Sequence, residues 1–218
     1  LSGAYAGNTI NVYGSDPGFS VASNGGTHTA WEDVALIREI PGAVICDPAD
    51  DVQMEWIIKE FLKMEGIHYV RSNRKAVRNV YKKGSSFKIG QGNILKEGKD
   101  ILIIAAGQLV SEALDCAEEL EKEGYSVEVI DMFTIKPLDE KLLIKEAKGK
   151  SKIVTIENHS IYGGLGSAVS EVIAENGISV PVKRIGVKEK FGQVGTAEFL
   201  QEEFGLTAKQ IKETICQF

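Results

Sequence analysis

Residues 100–130 read DILIIAAGQLVSEALDCAEELEKEGYSVEVI, and this stretch decides the fold. Ile101 to Ala106 is an unbroken apolar run closed by Gly107, the mark of a strand buried on both faces. Val110, Ala113, Leu114, Ala117 and Leu120 then recur at helical spacing, with Glu118, Glu119, Glu121, Lys122 and Glu123 on or near the wet face. Gly124 ends that helix, and Val127 to Ile130 is the next strand. A strand, a helix and a second strand in this order form a βα unit of a mainly parallel sheet.

Working toward the C-terminus, Asp139 is expected to cap a helix whose apolar side is Leu142, Leu143 and Ala147. Lys152–Ile156 reads as a strand, Leu165–Ala174 as a helix and Val180–Val187 as a further strand. From Thr196 two short helices follow, with Ile211 and Ile215 in the core. Residues 90–218 therefore make one complete doubly wound α/β unit of ordinary domain size.

Working toward the N-terminus, the pattern is sparser. Ile10–Tyr13, Ala43–Cys46 and His68–Arg71 read as strands, Thr29–Glu39 and Val52–Glu65 as helices, and Gly14–Thr27 as a glycine-rich loop. Three strands with one raw edge make a poor independent domain, so residues 1–84 are expected to be an incomplete α/β domain, less protected than the rest. The Lys82–Gly92 stretch, rich in Lys, Gly and Ser, reads as the linker.

Composition narrows the function classes. Of 218 residues, 43% are apolar and 26% charged, as in globular proteins generally. The balance of 25 basic to 31 acidic residues gives a net charge of −6, with no basic stripe for a nucleic acid. No apolar run approaches the ~20 residues of a membrane span, and Leu1 opens into small and polar residues, so neither membrane insertion nor a secretory leader is expected. Cys46, Cys116 and Cys216 are odd in number and far apart. They fit neither zinc nor disulfide spacing and read as reduced core residues of a cytoplasmic protein.

Three histidines focus the search for chemistry. His28 follows Asn24-Gly25-Gly26-Thr27, a glycine-bearing turn before a helix, and reads equally as a ligand-side group or as a surface neighbour of the helix N-terminus. Arg71 ends its strand and Arg74 follows, a pair suited to gripping a phosphate or carboxylate. His68, flanked by core strand residues, reads as structural, and Arg78 as part of a solvated basic run. His159 follows the Lys152–Ile156 strand, ahead of Gly163-Gly164-Leu165-Gly166. That turn lacks the full dinucleotide fingerprint, so its glycines are expected to serve close helix–strand packing.

Taken together, the segments resemble the transketolase family of thiamine-diphosphate enzymes. In the front half the resemblance is carried by Gly25-Gly26-Thr27-His28, Glu32 to Arg38, Ile40-Pro41 and Asp47-Pro48-Ala49-Asp50, which match the latter part of the pyrimidine-binding domain. In the back half it is carried by Thr134-Ile135-Lys136-Pro137-Leu138-Asp139 and Glu157 to Ala168, which match the transketolase C-terminal domain. The implied fold is a partial pyrimidine-binding α/β domain followed by a doubly wound, mainly parallel sheet.

The resemblance implies two-carbon ketol transfer between sugar phosphates. His28 matches a residue at the cofactor and sugar site, and Arg71 one that holds the sugar's phosphate. Asp16 stands where many transketolases have a histidine and Asn24 where they have an aspartate; a carboxylate at Asp16 would repel a phosphate and welcome a hydroxyl. These four are the expected substrate-binding residues. The family's Gly-Asp-Gly, which holds the cofactor diphosphate and magnesium, does not occur here, and no catalytic residue or metal ligand is expected in this chain. Thiamine diphosphate and magnesium are expected in the full enzyme, not on this chain alone. The expected partner is the N-terminal transketolase half, in a homodimer or hetero-oligomer. Deoxyxylulose-phosphate synthase, the β subunit of a 2-oxo-acid dehydrogenase and a non-catalytic dimerisation module are the alternatives.

Overall fold

The computed structural model describes residues 1–73 and 75–218, and Arg74 lies outside the described residues. The front half holds α1 (Ser2–Tyr5), β1 (Ile10–Ser15), α2 (Asp33–Arg38), β2 (Val44–Cys46), α3 (Asp51–Phe61) and β3 (Ile67–Ser72). The back half holds β4 (Asn93–Lys96), β5 (Ile101–Ala105), α4 (Val110–Lys122), β6 (Val127–Asp131), β7 (Thr134–Lys136), α5 (Glu140–Ala147), β8 (Lys152–Ser160), α6 (Leu165–Glu175), β9 (Val182–Val187), α7 (Ala197–Glu203) and α8 (Ala208–Gln217).

The back sheet has the order β4-β6-β5-β8-β9, parallel except at β4. Its faces follow from the period of two along a strand. Ile101 and Ile103 pack against Val110, Ala113, Ala117 and Leu120 of α4 and against Ile211 and Ile215 of α8. Leu102 and Ile104 pack against Leu143 of α5 and Leu165 and Val169 of α6. Both faces are thus covered, and each of these Val, Leu and Ile side chains contributes roughly 1.5–3 kcal/mol by leaving water. Asp139 caps α5, accepting from Leu142 N at 3.0 Å.

Four expectations change. The front sheet has four strands, β1-β3-β2-β7, because Thr134–Lys136 leaves the back half and pairs antiparallel with β2. The β2 edge is therefore closed, while β1 stays an open edge with Ile10, Val12 and Tyr13 exposed. The helix expected from Thr29 starts at Asp33, because tertiary partners take the preceding carbonyls: Gly18 N donates to Ala30 O and Ser160 N to Trp31 O. The strand expected to end at Ile156 continues as β8 to Ser160, which puts Glu157, Asn158 and His159 inside it. Cys46 and Cys116 are buried, but Cys216 is exposed, since Ile211 and Ile215 define the inner face of α8.

The stretch read as a linker is packed. Phe87 meets Trp56, Tyr81 and Phe133 edge-on, at centroid distances of 5.6, 4.7 and 5.8 Å. Asp50 caps α3 by accepting from Gln53 N and pins the chain entering that stretch, accepting from Val80 N at 2.8 Å and Tyr81 N at 2.7 Å. Asp131, at the end of β6, accepts from Gln53 Nε2 at 2.7 Å and Tyr81 OH at 2.5 Å, while its Oδ1 has no partner.

Burial raises the pKa of Asp131 to about 7, against the hydrogen bonds from Tyr81 and Gln53 that lower it. A carboxyl raised on folding stabilises fully below its unfolded value near 4, and this contribution is lost as pH rises toward 7. Asp131→Asn keeps the acceptor and does not titrate. We expect it to match wild type near pH 4 and to be more stable at pH 8 by about 1–2 kcal/mol, a Tm gain of roughly 2–8 °C. Thermal melts of both proteins from pH 4 to 8 check this, and parallel Tm profiles would contradict it.

Candidate functional site

The carboxyl ends of the two sheets face each other, and of the expected site residues Arg71 lies at that seam. Asp47, just after β2, accepts at its carbonyl from Gly107 N, just after β5, at 3.0 Å. At the centre is Arg71, the last buried residue of β3, only 1% exposed. Its Nε donates to Asp33 Oδ2 at 2.9 Å, Nη1 to Asp47 Oδ2 at 2.8 Å, and Nη2 to Asp33 Oδ1 at 3.3 Å and to the Asn158 carbonyl at 2.9 Å. Tyr69 OH also donates to Asp33 Oδ2, at 2.7 Å. Burial opposes the charge on Arg71, but Asp33 and Asp47 hold its pKa above the ordinary value. Burial also pushes Asp33 up, yet Arg71, Tyr69 and His159 together keep it below the usual carboxylate range.

The phosphate-anchoring role that the resemblance gives Arg71 thus meets a different geometry: the guanidinium turns inward and joins the start of α2, the residue after β2, and β8. Sequence spacing could not signal this, because Asp33, Asp47 and Asn158 are distant along the chain. Its companion Arg74 lies outside the described residues.

Asp16, by contrast, lines a cavity of about 220 Å³ between the front loop and α4, with Ser20, Asn73, Lys75, Arg78 and Gln108. Gln108 Nε2 donates to Ser20 Oγ at 2.7 Å across it. Arg78 is held by both carboxylate oxygens of Asp115, at 2.6 and 2.8 Å, and by the Ser111 carbonyl. Asp16 has φ of +53°, a left-handed conformation rare outside glycine, and its N–H donates to Ser72 O at 2.7 Å.

Asn24 and His28 sit together on an exposed loop. The His28 N–H donates to Gly25 O at 3.0 Å, and its Nδ1 lies 3.0 Å from Thr27 Oγ1. The back half supports this loop closely: a Cβ on Gly26 would run into the Gly192 carbonyl. Asn24 and His28 are exposed, whereas Asp16 and Arg71 are buried. His68 is buried and stacks on Phe61.

His159 and Glu157 serve the second glycine turn. Glu157 accepts from Leu165 N at 2.7 Å and Gly166 N at 2.9 Å, capping α6, and burial raises its pKa to about 7. Burial and the nearby Arg71 charge lower His159 to about 4, so its ring is neutral near pH 7. A Cβ on Gly164 would enter the Glu157 carboxylate and one on Gly166 would crowd Thr155 and Arg184, so these glycines do serve close packing. Among the described residues no group of His, Cys, Asp or Glu is placed to hold a metal ion, and no helix is long and apolar enough to cross a membrane.

Two mainly parallel sheets, joined where the carboxyl ends of their strands meet, define a two-sheet α/β architecture. The chain belongs to the transketolase family: residues 90–211 match the family model described as "Transketolase, C-terminal domain". It is 42% identical over 211 residues to a 6-deoxy-6-sulfo-D-fructose transketolase subunit from Clostridium sp. (strain MSTE9), covering 97% of this chain and 65% of that relative's length. It is 34% identical to an apulose-4-phosphate transketolase subunit from Phocaeicola vulgatus, covering 99% of this chain and 69% of that one. A solved structure titled "Split gene transketolase, inactive beta4 tetramer" superposes with a TM-score of 0.88 at 36% identity, covering 98% of this chain and 67% of that one. The chain spans about two thirds of the length of these subunit relatives.

Proposed function

We propose that this chain forms the C-terminal part of a transketolase and takes part in two-carbon ketol transfer only when assembled with a polypeptide that carries thiamine diphosphate and magnesium. The similarity to split transketolase subunits over nearly the whole chain carries this reading. The residues present do not fit the cofactor's metal and diphosphate: the Gly-Asp-Gly is absent, and no metal-holding group occurs among the described residues. The site residues of this chain are proposed to act on the ketol donor. His28, steadied by Thr27, hydrogen-bonds donor hydroxyls with Asn24 beside it, and Asp16 meets the donor's distal end. Arg71 is proposed to hold the site together from below.

Asp16 bears on which donor is used. Lys75 and Arg78 line the same cavity, so a donor reaching it would meet both signs of charge. The test is to co-express the chain with its upstream transketolase polypeptide and assay ketol transfer. Fructose 6-phosphate, 6-deoxy-6-sulfofructose and hydroxypyruvate serve as donors, with thiamine diphosphate and magnesium present. Transfer that requires both polypeptides supports the proposal, and a cofactor-loaded assembly that turns over none of the donors overturns it.

The open edge of β1 is the proposed seat of that partner. Beside it an apolar groove of about 200 Å³ is lined by Val12, Tyr13, Ile58, Phe61 and Leu62, and Tyr13 and Leu62 are 54% and 76% exposed. An unpaired strand next to uncovered apolar side chains suits a strand and helix supplied by the partner. Val12→Lys is expected to leave the chain's own Tm within about 2 °C, as surface substitutions do, and to weaken co-purification with the partner at least tenfold. Undiminished co-purification would place the partner elsewhere.

A further inference from the structure

The front loop that carries Asn24 and His28 is held to the back half at both ends. At its start, the Asn158 side chain of β8 accepts from Phe19 N at 3.1 Å and donates to Pro17 O at 3.0 Å. At its end, Ser160 N donates to the Trp31 carbonyl at 2.9 Å, and the Trp31 ring meets Phe204 edge-on at 5.0 Å. Between these anchors, residues 188–195, on the way from β9 to α7, press against the His28 turn itself.

The fit is reciprocal. A Cβ on Gly26 would run into the Gly192 carbonyl, and a Cβ on Gly192 would run into the Thr29 side chain. Neither glycine has a positive φ, so neither turn calls for glycine on its own account. What excludes a side chain at each is the opposite loop, and at Gly26 the obstacle is backbone, which cannot swing aside as a side chain can. Thr29 closes the turn: its Oγ1 and the His28 N–H both donate to the Gly25 carbonyl, each at 3.0 Å. Gly192 therefore bears on the residue that fixes the turn.

The pressing loop is itself fixed. Val187 O accepts from Ile161 N at 3.0 Å at one end, and at the other Thr196 caps α7 by accepting from Phe199 N at 3.2 Å. Within it Glu189 has φ of +48°, a conformation that a non-glycine residue keeps only where the surroundings over-determine it.

We infer that Gly192 is a positioning residue for the ketol donor: the loop between β9 and α7 sets the turn from which His28 meets the donor's hydroxyls. The inference rests on the reading of His28 given above. It gives the back half a share in donor binding through backbone contact alone.

Gly192→Ala pushes on Thr29 and is expected to loosen the turn. In the full chain, exchange of the His28 amide should quicken about tenfold, with β5 and α4 unchanged. In the assembly with the cofactor-bearing polypeptide, kcat/KM should fall about tenfold, because a small misplacement of a binding group is costly. Fructose 6-phosphate and hydroxypyruvate present the same hydroxyketone end, so both should lose alike. A double-mutant cycle then separates positioning from stability. His28→Ala alone should lower kcat/KM about tenfold, and adding Gly192→Ala should cost less than about twofold more, since the group being positioned is gone. A glycine that served stability alone would impose its full cost in either background. Gly26→Ala attacks the same contact from the front loop and should reproduce the pattern, so the test survives if Gly192→Ala does not fold. Unchanged His28 exchange in both glycine variants overturns the inference, and so does a Gly192→Ala cost that is the same with and without His28. A wild-type assembly that turns over neither donor overturns the functional reading, and an active one indifferent to His28→Ala overturns the role of His28; the inference falls with either. An active wild type that loses activity with His28→Ala but not with either glycine variant overturns the inference alone.

Discussion

Arg71→Met is expected to lower stability by about 3–5 kcal/mol, because it leaves the Asp33 and Asp47 carboxylates buried without their counter-charge. Against a total of roughly 5–15 kcal/mol, that loss takes much of the margin and drops Tm by roughly 6 °C or more, by about 2–4 °C per kcal/mol for a chain of this size. Methionine retains most of the volume, so the loss reports charge rather than a cavity. Chemical denaturation and a melt at pH 7 measure it. Adding Asp47→Asn to Arg71→Met removes one orphaned charge and should recover part of the loss. A variant within about 1 kcal/mol of wild type would show that the guanidinium is not needed as a keystone, and would return it to the phosphate-anchoring role.

Gly107→Ala strikes the same hub from the back sheet, and about 2–4 kcal/mol is expected. Gly107 has φ of +66°, which strains any side chain, and its Cβ would run into the Asp47 carboxylate. Asp47 cannot swing aside, since Oδ2 is held by Arg71 and its N–H donates to the Phe133 carbonyl at 2.8 Å. If the clash is the cause, the cost falls markedly in an Asp47→Ser background, where only the backbone strain remains. A double-mutant cycle by urea unfolding reads this coupling, and strict additivity would mean that strain alone is responsible.

Which parts of this were legible beforehand follows from how local the signals are. The strand at Ile101–Ala105 and the α4 periodicity announce themselves within a single short stretch of chain, and both hold in the structure. β7 has only Thr134, Ile135 and Lys136, too short for any period, so its crossing to the front sheet leaves no mark in the chain. Cys216 follows Ile215 and shares its apolar neighbourhood in sequence, yet one step around a helix turns it to solvent. At the seam, Arg71 looks like an anion grip from its own segment because the carboxylates that claim it lie 24 and 38 residues away. Asn158 stands out only as a polar residue in the Glu157–Ser160 string, since the backbone it holds is 139 to 141 residues distant.

The strand that β7 lends to β2 bears on how such a protein can be recombined. A chimera joined within residues 85–89, keeping this front half and importing another back half, would also import the outermost strand of the front sheet. A foreign Thr134–Lys136 segment would have to match the register Ile45 to Lys136 and Cys46 to Thr134, and foreign residues would have to meet Gln53 and Tyr81 where Asp131 does. The two halves are therefore heritable only as a pair, and a workable crossover point lies outside both rather than in the stretch that joins them.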